Sequence, residues 1–261
     1  MSDKYNAAEG AYKIICHELY RLNIYKDNIK ENLREDLINK VPSIFEDLKD
    51  AGANRLFFFK NIGIGTGSTA DQFTEHFLPK LKKYFKNIYS SSKKTTEKLE
   101  SLGFNVANAG EEHKCDMPLD FYVDGADEVD KNKNLIKGGG GAHRNEKILA
   151  KQALMFICIV DTSKVVNKLG KFPLPVEVYK SFKYYDHELL TVYGKVTPRN
   201  EESDRGNPLY DLHDANISDD PHITEIQIYN TKKVWDVGLF TAASKKPDIV
   251  VIGNSIGFNL L

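Results

Sequence analysis

The chain has 261 residues, of which 41% are hydrophobic and 28% are charged, and its formal net charge is -1. This near-neutral balance excludes a whole-chain electrostatic attraction to nucleic acid or to an anionic membrane, so we expect neither as a partner. The three cysteines form no CxxC pair, which is typical of a reducing compartment. The longest apolar runs, "FICIV" and "IVVIG", are far shorter than the ~20 residues of a membrane helix. We therefore expect a cytoplasmic protein.

Helical and strand patterns alternate along the first two thirds of the chain. Helices are predicted at 3–22, at 28–49 with a break near Pro42, at 70–85 with Ser68 or Thr69 as the cap, in "TTEKLESLG" and in "HRNEKILAKQAL". Strands are predicted in "RLFFFKNIGIG", "NIYSS", "FNVAN", "LDFYV" and "MFICIV". Such alternation with short connections predicts an α/β protein with a largely parallel, doubly wound sheet.

The pattern changes after "KFPLPVEV". Residues 181–240 are rich in aromatic residues, with strand-like stretches in "HITEIQIYN" and "KVWDVGLF" and a polar loop in "TPRNEESDRGNP". The closing "KPDIVVIGNS" returns to buried-strand character. We therefore predict a main domain of residues 1–172 plus 241–261, and a small α+β lid domain of residues 173–240.

A glycine-rich loop, "GIGTGSTA" at 63–70, connects a predicted buried strand to a predicted helix. It lacks the lysine of a nucleotide-binding P-loop, and its glycine spacing fits the dinucleotide fingerprint poorly. Backbone N–H groups at a helix start, together with the hydroxyls of Thr66, Ser68 and Thr69, suit a single phosphate or carboxylate. The alternative is a turn that only allows the helix to pack closely.

Two further segments carry charged residues at predicted strand ends. In "DGADEVDKNKNLIKGGGGAHRNE", Asp124 and Asp127 follow a buried strand, Lys137 precedes four glycines, and Glu146 lies at a helix start. A carboxylate shielded from water has a raised pKa that suits a general base, and a lysine with backbone amides can stabilise an oxyanion. Lys164, in "DTSK", can neutralise a phosphate, although a solvated lysine or a solvated acidic turn remains the alternative.

Four blocks taken together, "GIGTGSTA", "YVDGADEVD", "LIKGGGGA…NEKI" and "DTSKVVNKLGKFPLPVEV", resemble ribose-5-phosphate isomerase of the A type. The resemblance is close from about Ile62 to Val178 and looser in "VGLF" and "DIVVIG". It implies a Rossmann-like main domain with a small α+β lid, a homodimer or homotetramer, and no cofactor or metal. It also implies conversion of D-ribose 5-phosphate to D-ribulose 5-phosphate in the pentose phosphate pathway. The alternatives are a related sugar-phosphate isomerase or deaminase and a catalytically silent sugar-phosphate regulator.

The resemblance also implies a role for individual residues. Glu146 matches the general base that moves a proton between C1 and C2, Asp124 the aspartate linked to ring opening, and Lys137 the group beside the enediolate. The residues implied in substrate binding are Thr66, Gly67, Ser68, Thr69, Asp124, Gly125, Ala126, Asp127, Lys137, Gly138, Gly139, Gly140 and Lys164.

The sequence departs from the family pattern in three places, one of which is the segment "TPRNEESDRGNP" of the predicted lid. The family usually has arginine directly before the base, where this chain has Asn145. Residues 23–54 hold more sequence than the usual link between the first helix and the first strand, which predicts a helical insertion.

Overall fold

The computed structural model of the protein describes residues 2–21, 61–108 and 118–261. The predicted helix at 28–49 and the predicted insertion at 23–54 lie outside these residues. The helices of the described segments are α1 (Asp3–Arg21), α2 (Ser68–His76), α3 (Leu78–Leu81), α4 (Lys93–Ser101), α5 (His143–Gln152), α6 (Glu188–Thr191) and α7 (Pro221–Tyr229). Their strands are β1 (Asn61–Ile64), β2 (Asn87–Ser90), β3 (Val106–Asn108), β4 (Leu119–Asp124), β5 (Glu128–Val129), β6 (Leu135–Ile136), β7 (Ala153–Asp161), β8 (Leu174–Val178), β9 (Lys195–Glu202), β10 (Pro208–His213), β11 (Val234–Val237), β12 (Leu239–Phe240), β13 (Ile249–Asn254) and β14 (Gly257–Leu260).

The largest sheet of the described residues has the strand order β14-β13-β7-β4-β1-β2-β3. All of its neighbouring strands run parallel except β14, which pairs antiparallel with β13. This arrangement confirms the predicted α/β class with a largely parallel sheet. Because parallel strands end at the same edge, the loops that follow β1, β2, β4 and β7 are brought together there.

Helices cover both faces of this sheet, as the alternation within β7 illustrates. Met155, Ile157 and Ile159 pack into the core that includes α1, whereas Phe156, Cys158 and Val160 pack into the core that includes Leu149 and Ala150 of α5. Both sets are buried, so the strand reads as one continuous apolar run. This explains why the apolar pattern was sufficient to predict β7.

A second, antiparallel sheet has the order β11-β8-β10-β9 and lies within residues 174–237. A short sheet, β12-β6-β5, joins the segment after β11 to the segment after β4. The chain then returns to the main sheet through β13, beside β7. The domain limits at 172–173 and 240–241 remain a prediction.

The strand predicted in "HITEIQIYN" is wrong, because this segment forms helix α7. Asp220 occupies the N-cap position and Pro221 lies in the first helical turn, where its missing N–H costs nothing. Thr224 and Ile228, four residues apart, are buried on one side. The β-branched residues favour a strand locally, but the helix-start signal of Asp220 and Pro221 and the packing of one helix face outweigh that preference.

The polar loop predicted in "TPRNEESDRGNP" is also wrong, because residues 195–202 form β9 and a tight turn leads into β10. Strand β9 pairs with β10 alone and lies at the edge of its sheet. Its side chains are mostly exposed or half-buried. Such an edge strand needs no apolar alternation, so its composition resembles that of a loop.

The helix predicted at 70–85 begins earlier and is interrupted. Gly67, at φ 123°, is the N-cap of α2, which starts at Ser68, so the predicted side-chain cap from Ser68 or Thr69 is absent. Helix α2 ends at His76, with Phe77 as its C-cap, and α3 restarts with Pro79 in its first turn. The hydroxyls of the loop are therefore not used to cap the helix.

Candidate active site

The glycine loop follows β1 and lies against the end of β4. A Cβ atom on Gly65 would lie 1.9 Å from the carboxylate of Asp124, so only glycine permits this approach. The backbone N–H of Thr66 donates to Asp124 Oδ1 at 3.0 Å. The Thr66 hydroxyl forms hydrogen bonds with Ser92 Oγ at 2.7 Å and Ser91 Oγ at 3.0 Å. The loop is thus fixed on one side by a carboxylate and on the other by hydroxyls.

The start of α2 remains accessible beside this loop. Ser68 is exposed, and its hydroxyl accepts a hydrogen bond from Lys4 Nζ at 2.9 Å. Thr69 is buried next to it. Free N–H groups, a hydroxyl and an ammonium together form a site suited to a phosphate. Helix α1 contributes through Lys4, which has no place among the predicted site residues.

Asp124 ends β4 and is completely buried, with each carboxylate oxygen accepting from two donors. Oδ1 accepts from the N–H groups of Thr66 at 3.0 Å and Gly125 at 2.7 Å. Oδ2 accepts from the hydroxyl of Tyr122 at 2.5 Å and contacts Lys137 Nζ at 2.6 Å. The four donors satisfy the hydrogen-bonding capacity of this buried carboxylate.

Lys137 follows β6 and carries the buried positive charge of the site. Its Nζ donates to the carbonyl of Gly125 at 2.6 Å and lies 2.6 Å from Asp124 Oδ2 and 3.3 Å from Glu146 Oε2. Burial lowers the pKa of this ammonium, but the charges of Asp124 and Glu146 outweigh that effect and raise the pKa above its usual value. Lys137 is therefore a permanent cation between two carboxylates.

The glycine run after Lys137 is held from both sides. Gly138 has φ 97°, and a Cβ atom there would collide with His143. Arg199 Nη1 donates to the carbonyls of Gly138 and Gly139 at 3.2 and 3.0 Å. The N–H of Gly139 donates to Asp127 Oδ2 at 2.8 Å. Of the backbone amides of Gly138, Gly139 and Gly140, which are predicted to bind the substrate, that of Gly139 therefore already has an acceptor within the protein.

Glu146 lies in the first turn of α5, and its side chain is almost completely buried. Burial raises the pKa of Glu146 to about 8, although the charge of Lys137 acts in the opposite direction. Its Oε2 atom has no hydrogen-bond partner. A buried carboxylate oxygen that faces the Lys137 ammonium at 3.3 Å but accepts no hydrogen bond, in a carboxyl of raised pKa, suits a general base.

A cavity of about 430 Å³ brings the predicted residues together. It is lined by Thr66, Gly67, Ser68, Thr69, Gly125, Ala126, Asp127, Lys137, Gly138, Gly139, Gly140, Glu146 and Lys164, and also by Ser92, Lys94 and Asp204. Asp124 is not part of the lining and lies behind Lys137. One cavity is thus surrounded by the loop after β1, by Asp127 after β4, by Glu146 and by Lys164 after β7.

Sequence reasoning missed three of these lining residues. Ser92 and Lys94 follow β2, so the rule that ligands bind at the ends of parallel strands could have found them. Asp204 lies in the turn after β9, in the segment predicted to be a polar loop. No local pattern marks it as a neighbour of the cavity.

The described segments contain neither a membrane-spanning helix nor a cluster of metal-binding side chains. No helix within residues 2–21, 61–108 and 118–261 is long and apolar enough to span a membrane. Over that same part of the chain, no three His, Cys, Asp or Glu side chains are grouped as a metal ion would require.

Comparison with known proteins identifies the family. A family profile described as ribose 5-phosphate isomerase A (phosphoriboisomerase A) matches residues 87–257. The chain belongs to the ribose 5-phosphate isomerase A family. Ribose-5-phosphate isomerase A of Neisseria meningitidis serogroup C is 39% identical over 222 residues, which cover 83% of this chain and 96% of the relative.

Solved structures of the family have the same fold. Ribose 5 phosphate isomerase A from Neisseria gonorrhoeae is 39% identical, with a TM-score of 0.70 over 77% of this chain and 88% of that one. A D-ribose-5-phosphate isomerase solved in complex with phospho-erythronic acid is 30% identical, with a TM-score of 0.68 over 84% of this chain and 95% of that one. Both matches cover most of the fold described above.

Proposed function

We propose that this chain interconverts D-ribose 5-phosphate and D-ribulose 5-phosphate through a cis-enediolate, with Glu146 as the general base. One observation supports this above the others. The buried Glu146 carboxylate, with Oε2 unbonded and 3.3 Å from the Lys137 ammonium, shares a cavity with the anion-binding loop at Ser68. Aldose–ketose isomerisation needs a base, a cation near the developing oxyanion, and a distant phosphate anchor.

In the proposed mechanism the phosphate binds at the start of α2. Ser68, Thr69 and Lys164 hold the phosphate, and the ammonium groups of Lys4, bonded to Ser68, and of Lys94, on the rim of the same cavity, add further positive charge. The binding energy of the phosphate fixes the position of carbons that lie several bonds away. Glu146 then removes a proton from one of C1 and C2 and returns it to the other.

The charge that develops on the enediolate oxygens is stabilised by Lys137 and by backbone amides of the glycine run. Lys137 needs no reorganisation for this role, because Asp124 and the Gly125 carbonyl already fix its Nζ. We propose that Asp124 assists ring opening and hydroxyl proton transfer by holding this ammonium in place beside the sugar hydroxyls, because Asp124 itself does not line the cavity. Asp127, on the cavity wall, binds the sugar hydroxyls.

We further propose that the reaction serves the non-oxidative pentose phosphate pathway in the cytoplasm, and that the protein works as a homodimer or homotetramer without a cofactor or metal. The resemblance in sequence supports these points. Size-exclusion chromatography with light scattering tests the assembly, and a mass near that of the single chain would contradict it.

The activity is tested with the purified chain and ribose 5-phosphate in the presence of a chelator. We expect conversion to ribulose 5-phosphate without added metal, and slower or no conversion of arabinose 5-phosphate and allose 6-phosphate. Glu146→Gln should lower kcat by orders of magnitude while phosphate-sugar binding persists, because the base alone is removed. Glu100→Gln, on the exposed side of α4, is the matched control and should keep full activity.

Two results would contradict the proposal in different ways. If Glu146→Gln kept near-full activity, the assignment of the base would be wrong. If the wild-type protein bound the sugar phosphates but converted none of them, a silent regulator would be the better description.

A further inference from the structure

The start of helix α5, which carries Glu146, lacks the usual local support. Ala142 occupies the N-cap position and supplies no side-chain hydrogen bond. The N–H of Glu146 bonds to the Ala142 carbonyl at 3.0 Å, but a first helical turn without a cap frays easily. The position of the base therefore depends on what the neighbouring side chains of this turn contact.

Both sequence neighbours of Glu146 are bonded to the segment that carries the antiparallel sheet. On one side, Lys147 Nζ donates to Glu225 Oε1 at 3.0 Å, Asp236 Oδ1 at 3.0 Å and the Val237 carbonyl at 2.7 Å. All three side chains are buried, so this cluster anchors α5 strongly. Removing Lys147 would leave the buried carboxylates of Glu225 and Asp236 without their cation and would endanger folding. Lys147 is therefore unsuitable as a probe.

On the other side, Asn145 Oδ1 accepts a hydrogen bond from Arg205 Nε at 2.8 Å. Arg205 lies in the turn between β9 and β10, 60 residues further along the chain. Asn145 is buried and Arg205 is half-buried. A hydrogen bond from a charged donor to a buried amide is among the stronger kinds, so this contact restrains the first turn of α5.

The turn that carries Arg205 is itself rigidly held. Ser203 Oγ and Asn207 Nδ2 both donate to the buried Glu177 Oε1, at 2.9 and 2.7 Å. Asp204 Oδ2 accepts from the N–H of Lys93 at 2.9 Å, which ties the turn to the start of α4 at the cavity rim. Arg205 is thus presented to Asn145 from a fixed support.

We propose that Arg205 is a positioning residue for Glu146, acting through Asn145. Arg205 fixes the rotation of the first turn of α5 about the helix axis. It thereby fixes the direction of the Glu146 carboxylate, whose Oε2 accepts no hydrogen bond. Arg205 is not part of the cavity lining, so it holds the base without contacting the substrate. This inference rests on the proposed function.

The test compares Arg205→Ala, Asn145→Ala and the double variant with the wild type. Each single variant should lower kcat roughly tenfold and leave KM for ribose 5-phosphate within about twofold, because the substrate contacts are intact. The double variant should be no slower than the worse single variant, because both substitutions remove the same hydrogen bond between Arg205 and Asn145. Arg205→Lys, which keeps a donor within reach of Asn145 Oδ1, should recover most of the lost kcat.

Binding and stability are measured on the same proteins. The affinity for phospho-erythronic acid, followed by calorimetry, should change less than twofold in all variants. Lys168→Ala is the matched control, because Lys168 pairs with Asp219 at an exposed site remote from α5 and should leave every parameter unchanged. If Arg205→Ala fails to fold, Arg205→Lys and Asn145→Ala still carry the comparison.

Three outcomes would overturn the proposal: an unchanged kcat in Arg205→Ala, a rise in KM in place of the fall in kcat, or losses that multiply in the double variant. An inactive wild-type protein would instead refute the proposed function. The two failures are therefore distinguishable.

Discussion

The exchange Asp124→Asn tests the electrostatics on which the candidate site depends. Asparagine has nearly the same shape, and its carbonyl oxygen can still accept from the N–H groups of Thr66 and Gly125. Its amide nitrogen then replaces Oδ2, which lies 2.6 Å from the ammonium of Lys137. Two donors face each other at that point, and the negative charge is lost.

The expected cost follows from burial. The side chain of Lys137 is 2% exposed and that of Asp124 is 0% exposed, so water cannot replace the missing partner. Removing one member of a buried ion pair costs about 3–5 kcal/mol. Glu146 remains 3.3 Å from the ammonium and offsets part of this loss, so we expect the lower figure. For a domain of this size, the melting temperature should fall by roughly 10 °C.

The same substitution should also change the pH dependence of catalysis. The charge of Asp124 adds to burial in raising the pKa of Glu146. Without that charge the pKa of Glu146 falls, and the base is deprotonated at a lower pH. The acid limb of kcat/KM should therefore move to lower pH, even though the maximal rate decreases.

Thermal unfolding and pH profiles of kcat/KM measure both effects. Asp127→Asn is the control for stability, because Asp127 is half-buried and the asparagine oxygen can still accept from the Gly139 N–H, so the loss should stay below about 1 kcal/mol. An Asp124→Asn protein as stable as the wild type would refute the buried ion pair. An acid limb of kcat/KM displaced to higher pH would refute the electrostatic coupling between Asp124 and Glu146.

Two further predictions concern Glu146 and the glycine loop. Because the pKa of Glu146 is raised to about 8, its contribution to stability is fully present below about pH 4.5 and is lost as the pH rises through about 8. Glu146→Gln should therefore gain stability relative to the wild type between pH 5 and pH 9 in urea unfolding, and a constant difference would contradict this sign. Gly65→Ala should abolish activity and destabilise the fold, because its Cβ would meet the Asp124 carboxylate at 1.9 Å. Gly140→Ala, whose nearest neighbour would lie 3.7 Å away, should keep near wild-type stability, and equal melting temperatures for the two alanine variants would refute the argument.

Much of the main sheet could be predicted from the sequence because its strands are buried on both faces. Runs such as "LDFYV" and "MFICIV" have few alternatives, and the glycines, lysines and carboxylates that follow them fall at one sheet edge. The antiparallel sheet was harder to predict. Its edge strand β9 has the composition of a loop, and α7 has the β-branched content of a strand, so local patterns pointed to the wrong elements.

The support of the base could not be predicted for a different reason. Asn145 and Lys147 look like ordinary surface residues of a helix, and their partners Arg205 and Asp236 lie far along the chain. A hydrogen bond between distant segments leaves no periodicity in either one. Only the packing of α5 against the antiparallel sheet turns these polar residues into a support.

The raised pKa of Glu146 likewise belongs to the assembled site. Two carboxylates, Asp124 and Glu146, face one ammonium in a space that water barely enters. Asp124 already has four donors, whereas Glu146 Oε2 has no hydrogen bond. The uncompensated charge therefore falls on Glu146, which accepts a proton readily and can hold it while the enediolate exists. A base on an exposed helix would have the ordinary pKa of a glutamate and would lose this ability.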